Sequence, residues 1–152
     1  MLHRAHLRVG HVLQEEVRGH VAHRPHARGG GALFGVDVNG LKAINDCHGH
    51  QAGDAVLLHV ARVLKASLRA GDMVARIGGD EFGLILDHLD EKAARAKAEL
   101  LASTVATEPV DLGRASIRVS VTAGLTMVRA GDDVETVLAR ADAAMYAQRS
   151  ER

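Results

Sequence analysis

Apolar residues recur along this chain with two different periods, and the switches between them mark out its elements. Residues 1–23 place Leu7, Val12, Leu13, Val17 and Val21 loosely on one side, as a helix would. The stretch HRPHARGGG then ends that helix, because Pro25 and three glycines cannot continue it. ALFGVDV, residues 32–38, is a short and mostly apolar run of strand length, read as a buried central strand. A short helix is expected over 40–47 and a longer one over 52–69. In the latter, Val56, Leu57, Val60, Val63, Leu64 and Leu68 form an amphipathic stripe. DMVARI and EFGLIL read as two strands joined through Gly78 and Gly79 in a tight hairpin.

The period returns to helical over 90–106, with Ala94, Ala98, Leu101 and Val105 on one face. Around Pro109 the chain turns into ASIRVSVTAGLTMV, where Ile117, Val119 and Val121 alternate with Arg118 and Ser120 as strand residues do. The last helix begins near GDDVETVL, with Asp132 as N-cap and Glu135 three residues on. Its inner face is Val134, Val137, Leu138, Ala141 and Met145. This order predicts an α/β (α+β) sandwich: a mixed, mainly antiparallel central sheet flanked by helices.

Composition narrows the function classes. With 152 residues the chain suits one domain, and its core is aliphatic, since Phe34, Phe82 and Tyr146 are the only aromatics. Nineteen basic residues balance nineteen acidic ones, which leaves no electrostatic footprint for nucleic acid. Scarce aromatics argue against a single-strand binder, which needs stacking platforms. The lone Cys47 excludes an internal disulfide, and no apolar run reaches membrane-spanning length. A cytoplasmic domain with no direct membrane insertion is expected.

The candidate chemistry lies in RIGGDEFGLIL, residues 76–86, where Asp80 and Glu81 adjoin at a hairpin tip. If strands 32–38 and 81–86 lie side by side, Asp37 meets Asp80. Three converging carboxylates need a compensating charge, and hard oxygen ligands with open positions suit Mg²⁺ bridging substrate phosphates. Two such ions would serve an in-line displacement at phosphorus. Gly78 and Gly79, lacking Cβ, would let a phosphate or nucleobase approach the backbone. Taken alone, acidic residues at a hairpin tip are more often a solvated turn.

The resemblance to a known family is more specific. GGDEF at 78–82 resembles the signature of the GGDEF family, the bacterial diguanylate cyclases. DVNGLKAINDCHGHQAGD (37–54) resembles that family's second block, RAGD (69–72) its inhibitory RxxD motif, and ADAAMYAQR (141–149) its closing helix. His3 and Arg4 resemble the tail of the opening block, and Arg152 falls where a glycine of the closing Gly-Arg is expected. The whole chain, 1–152, is therefore read as a single GGDEF domain. It is expected to be the catalytic fragment of a longer regulated protein, with the start of the first block and the end of the last one missing.

The resemblance implies a fold like the adenylyl cyclase or polymerase palm. It implies condensation of two GTP into cyclic di-GMP with release of two pyrophosphates. Asp37, the carbonyl of Val38, Asp80 and Glu81 match the metal site, with two Mg²⁺ or Mn²⁺ in each active half-site. Asp80 also matches the acceptor of the 3′-hydroxyl proton. Asn45 and Asp54 match the guanine contacts, and His50 lies in the same block. Lys42, the amides of Gly40 and Leu41, and Arg149 (where a lysine is usual) match the phosphate contacts. Arg69 and Asp72 match the inhibitory product site. Because each GTP must offer its hydroxyl to the other, catalysis implies a transient homodimer of facing domains. The alternative is a catalytically silent module that only binds GTP or cyclic di-GMP.

Other signals point to ordinary structure. Six of the ten histidines lie in the first 26 residues, with His20, His23 and His26 at helical spacing; without a completing Cys or Glu they read as a polar face rather than a zinc site. GGGALFG lacks the Gly-Lys-Ser/Thr of a P-loop. Asn39 stands where the family usually has an Asp, and Gly40-Leu41 where it has an aromatic pair. Cys47 is expected to be inert packing, and Lys92, Arg95 and Lys97 a solvated face paired with Glu91 and Glu99.

Overall fold

The structure, a computed structural model, describes residues 31–129 and 131–150, with the side chains of Val134, Arg149 and Ser150 outside the description. The expected first helix, the Pro25 turn, His20, His23, His26 and Arg152 lie outside the described residues. The elements run β1 (Gly31–Val38), α1 (Leu41–His48), α2 (His50–Ala66), β2 (Met73–Arg76), β3 (Glu81–Leu86) and α3 (Glu91–Thr107). A short β4 (Val110–Asp111) and β5 (Ser116–Ile117) follow, then β6 (Val121–Val128) and α4 (Val134–Ser150).

The apolar run at 31–38 is flanked by hydrogen-bonded strands on both sides, in the sheet order β2-β3-β1-β6. Every pairing among the described residues is antiparallel, so β2 runs the same way as β1 but is separated from it by β3. Alternation along the strands divides the core in two. Phe34, Val36, Val38, Phe82, Leu84 and Leu86 meet Val56, Val60 and Leu64 of α2 and Leu101 and Val105 of α3. Leu33 and Ile85, directly opposite one another, point to the other face and meet Val137 and Ala141 of α4.

A row of glycines lets α4 come close. Gly83, Gly35 and Gly124 lie in register across β3, β1 and β6. A Cβ built on Gly124 would stand 2.3 Å from the backbone nitrogen of Met145, and one on Gly35 would stand 3.4 Å from the Met145 sulfur. Two helix ends are set by aspartates. The Asp90 carboxylate accepts from the Ala93 amide at 2.7 Å and caps α3.

For α4 the cap is Asp133, which accepts from the Thr136 amide at 2.7 Å, and not Asp132 as the spacing to Glu135 predicts. Asp132 instead accepts from the Arg129 amide and from the guanidinium of Arg140, closing the turn before the helix. The Thr136 amide and hydroxyl hold the Asp133 carboxyl below the usual carboxylate range.

Three further expectations need correction. The run at 115–128 is not one strand: Ser116–Ile117 pair with Val110–Asp111, and β6 starts only at Val121. The alternation survives the break, since Val119 and Val121 are buried and Arg118 is exposed. Cys47 is exposed, because α1 buries none of its residues. Arg95 pairs with Glu91 at 2.9 Å as expected, but Lys97 leaves that face and reaches to 3.8 Å from Asp72.

Candidate active site

β1 and β3 bring the carboxylates together by register. Asp37 stands directly opposite Glu81, so the two side chains share the α4 face of the sheet. Asp37 is 4% exposed, while Asp80 lies exposed on the loop. The Val38 amide donates to the Asp80 carbonyl at 2.8 Å, which ties the loop to the end of β1. The backbone of Asp37, Val38, Asp80 and Glu81 is thus gathered at one end of the β1–β3 pair, with Glu81 rather than Asp80 standing opposite Asp37. Glu81 also lines a cavity of about 240 Å³ beneath α4, with Ile77, Phe82, Asp142 and Met145.

Among the described residues no three His, Cys, Asp or Glu side chains form a metal cage. Mg²⁺ needs no such cage: it binds through one or two carboxylates and keeps positions for water and substrate phosphate. Asp37 and Glu81 as paired neighbours, with a backbone carbonyl beside them, fit such an ion.

The loop between β2 and β3 is closed by the Ile77 amide, which donates to the Glu81 carbonyl at 2.8 Å. Exposed Arg76, which carries no motif signal in the sequence, grips the loop from its β2 side. Its Nε donates to the Gly78 carbonyl and its Nη2 to the Gly79 carbonyl, each at 3.0 Å. Neither glycine has a positive φ, and a Cβ on Gly79 would meet nothing within 4 Å. The fold itself does not require glycine at 79; the space beside it is open.

Asn39 leads from β1 into α1 and is sewn to β6. Its Nδ2 donates to the Ser120 hydroxyl at 3.0 Å, and its Oδ1 accepts from the Thr122 hydroxyl at 2.9 Å. Thr122 is itself opposite Asp37, so these bonds brace the strand end that carries the carboxylate. Gly40, with φ 71°, then opens α1, and no side chain caps the amides that begin there. Exposed Lys42 sits in this first turn beside Leu41, and uncapped amides at a helix start attract anions.

One residue separates α1 from α2. Gly49 has φ 90° and ψ 166°, a conformation confined to glycine, and its amide donates to the Asn45 carbonyl at 2.8 Å. The corner sets Asn45 against Gly53, the residue before Asp54. His50 and Asp54 are exposed on the first turn of α2. Of the expected guanine contacts, Asp54 alone lines the cleft of about 410 Å³ between α2 and β2, together with Leu57, Lys65, Arg76 and Phe82. Asn45 and His50 lie outside that lining.

Arg69 and Asp72 lie just before β2 and bond to Asp87, just past the far end of β3 and six residues, or roughly 20 Å of strand, from Glu81. The Asp72 side chain is 1% exposed and accepts from the amides of Arg69 at 2.8 Å and Asp87 at 2.9 Å. Arg69 is 55% exposed, and its Nη2 donates to the Asp87 carbonyl at 3.0 Å. Arg149 lies near the end of α4, with its side chain outside the description.

Residues 10–152 match the family described as "Diguanylate cyclase, GGDEF domain". The bifunctional diguanylate cyclase/cyclic di-GMP phosphodiesterase MucR of Pseudomonas aeruginosa is 36% identical over 116 residues, covering 76% of this chain and 17% of that protein. Diguanylate cyclase DgcP of the same organism is 37% identical over 136 residues, covering 89% of this chain and 20% of that protein. The chain thus spans about a fifth of the length of these curated relatives. Among solved structures, the GGDEF domain of DgcB from Caulobacter crescentus, in complex with c-di-GMP, superposes with a TM-score of 0.85. It is 25% identical, over 91% of this chain and 81% of that one. With an antiparallel sheet carrying Asp37 opposite Glu81, the cyclase palm arrangement and a family match over nearly its full length, the chain belongs to the GGDEF domain family.

Proposed function

We propose that this domain condenses two molecules of GTP into cyclic di-GMP, releasing two pyrophosphates, and that it does so as two facing copies. The observation that carries this reading is the register that sets buried Asp37 directly across from Glu81, with Asp80 tied in beside them. The names of the relatives point the same way.

Asp37, the Val38 carbonyl, Asp80 and Glu81 would hold two Mg²⁺ or Mn²⁺ ions. When bound, these supply neutralisation of phosphate charge and of the departing pyrophosphate. Asp54 accepts from guanine N1–H and N2–H₂, Asn45 pairs with a remaining edge of the base, and His50 adds a contact from the same turn. Lys42, the amides of Gly40 and Leu41, and Arg149 take the β- and γ-phosphates. Gly78 and Gly79 leave the space beside the loop to the nucleotide.

The Asp80 carboxylate takes the proton of a 3′-hydroxyl. The 3′-oxygen then bonds to the α-phosphorus of the GTP held by the facing copy, as the bond from that phosphorus to the pyrophosphate oxygen breaks. Repetition in the other sense closes the ring. One domain holds one GTP, so the two copies meet through a two-fold encounter. Arg69, assisted by Asp72, binds product at a distance from the carboxylates and lowers turnover. An Arg fork suits both phosphate and the N7/O6 edge of guanine.

Incubation with GTP and Mg²⁺, followed by chromatography, should give cyclic di-GMP and pyrophosphate in a 1:2 ratio. Asp37→Ala or chelation of the metal should abolish both. GTP retained by the protein with no product formed would instead identify the silent binding module.

A further inference from the structure

We infer that Gly53 determines how the domain reads its nucleobase, by holding the amide of Asn45 in place; this rests on the proposed role of Asn45 as a guanine contact. Gly53 is buried in the first turn of α2, and Asn45 faces it from the last turn of α1 across the Gly49 corner. A Cβ at position 53 would stand 1.9 Å from Asn45 Oδ1, 2.8 Å from its Cγ and 3.1 Å from its Nδ2. Any side chain at 53 therefore evicts the whole amide from its present site. Asn45 Oδ1 is buried there and accepts no hydrogen bond from the described residues. The space left by the missing Cβ, rather than a hydrogen bond among the described residues, is what seats the amide there. The other end, the Nδ2 donor, is left to meet an acceptor on the base.

The group that must move is the far end of a flexible side chain, so it yields without disturbing the backbone. Alanine also favours a helix more than glycine does. Gly53→Ala should therefore fold normally while losing the placement of Asn45. This separates positioning from structure, which is rarely possible at a buried glycine. In contrast, Gly124 meets helix backbone, and a side chain there attacks the fold itself.

The test is a double-mutant cycle read by calorimetric titration with GTP, with thermal melts as a control. Gly53→Ala should weaken GTP binding about tenfold, without lowering the melting temperature, and raise KM far more than it lowers kcat. In an Asn45→Ala background, Gly53→Ala should cause no further loss, because the amide it displaces is gone. If Asn45→Ala weakens GTP binding but Gly53→Ala does not, the inference about Gly53 is wrong and the role of Asn45 stands. If Gly53→Ala weakens binding equally in both backgrounds, its effect does not pass through Asn45 and the inference fails. If Asn45→Ala binds GTP as the unaltered chain does, the assignment of Asn45 itself fails, and the inference with it.

Discussion

Asp72 and Arg76 show how single side chains here hold backbone rather than one another. The Asp72 carboxylate, almost fully enclosed, satisfies the amides of Arg69 and Asp87 and lies 3.8 Å from Lys97 Nζ. Replacing it by Ala leaves those amides without their acceptor, which should destabilise the domain by about 1–3 kcal/mol. Urea unfolding at unchanged slope would record that loss. In the proposed function the same change also releases product inhibition, because Arg69 loses the turn that presents it. Arg76 forks onto the carbonyls of Gly78 and Gly79. Arg76→Ala should lower kcat about tenfold or more, since a loop misplaced by even 1 Å is enough to slow an oriented reaction. Arg76→Lys should recover little, because an ammonium cannot span two carbonyls as the planar fork does. Steady-state kinetics on the two variants would separate these outcomes.

At the scale of elements, α4 depends on the glycine row and on its cap. Gly124→Ala sets a methyl group against the backbone of Met145 and should destabilise by about 1–3 kcal/mol or more, as overpacking does. A fall in melting temperature would show it. Asp133 contributes a pH dependence to this element. Its carboxyl is held below the usual range by Thr136, so the stabilisation is complete above the unfolded-state pKa and is lost as acid carries the pH down through the lower, folded value. Asp133→Asn should flatten that acid dependence of the melting temperature. The sequence predicted these elements well where aliphatic residues repeat, as in α2 and α3, because a stripe of that kind has few other uses. It misplaced the α4 cap by one residue, since capping depends on the backbone angle at a single position. It also missed the Gly83-Gly35-Gly124 row, which exists only once three strands are in register.

Across the whole molecule, the parts of the site differ in how far they were legible. Asp37, Asp80 and Glu81 announced themselves as carboxylates among apolar residues, and strand pairing brought them together. Asn39 did not, because its partners Ser120 and Thr122 lie 81 and 83 residues away. Lys97 was assigned to a solvated face for the same reason: its partner Asp72 belongs to another part of the chain. The sheet places the Asp37–Glu81 pair at one end of β3 and the Asp72–Asp87 network at the other; in the proposed function that distance separates the substrate site from the product site. No helix among the described residues is long and apolar enough to cross a membrane.

The central claim is that two copies of this domain face each other to make one product. The initial rate of cyclic di-GMP formation at saturating GTP and Mg²⁺, measured over a wide dilution series of the chain, tests it most directly. The account predicts a rate that rises with the square of protein concentration at the dilute end and becomes linear once the copies are paired. A rate strictly proportional to concentration down to the lowest dilution, with the chain monomeric by light scattering, would contradict it.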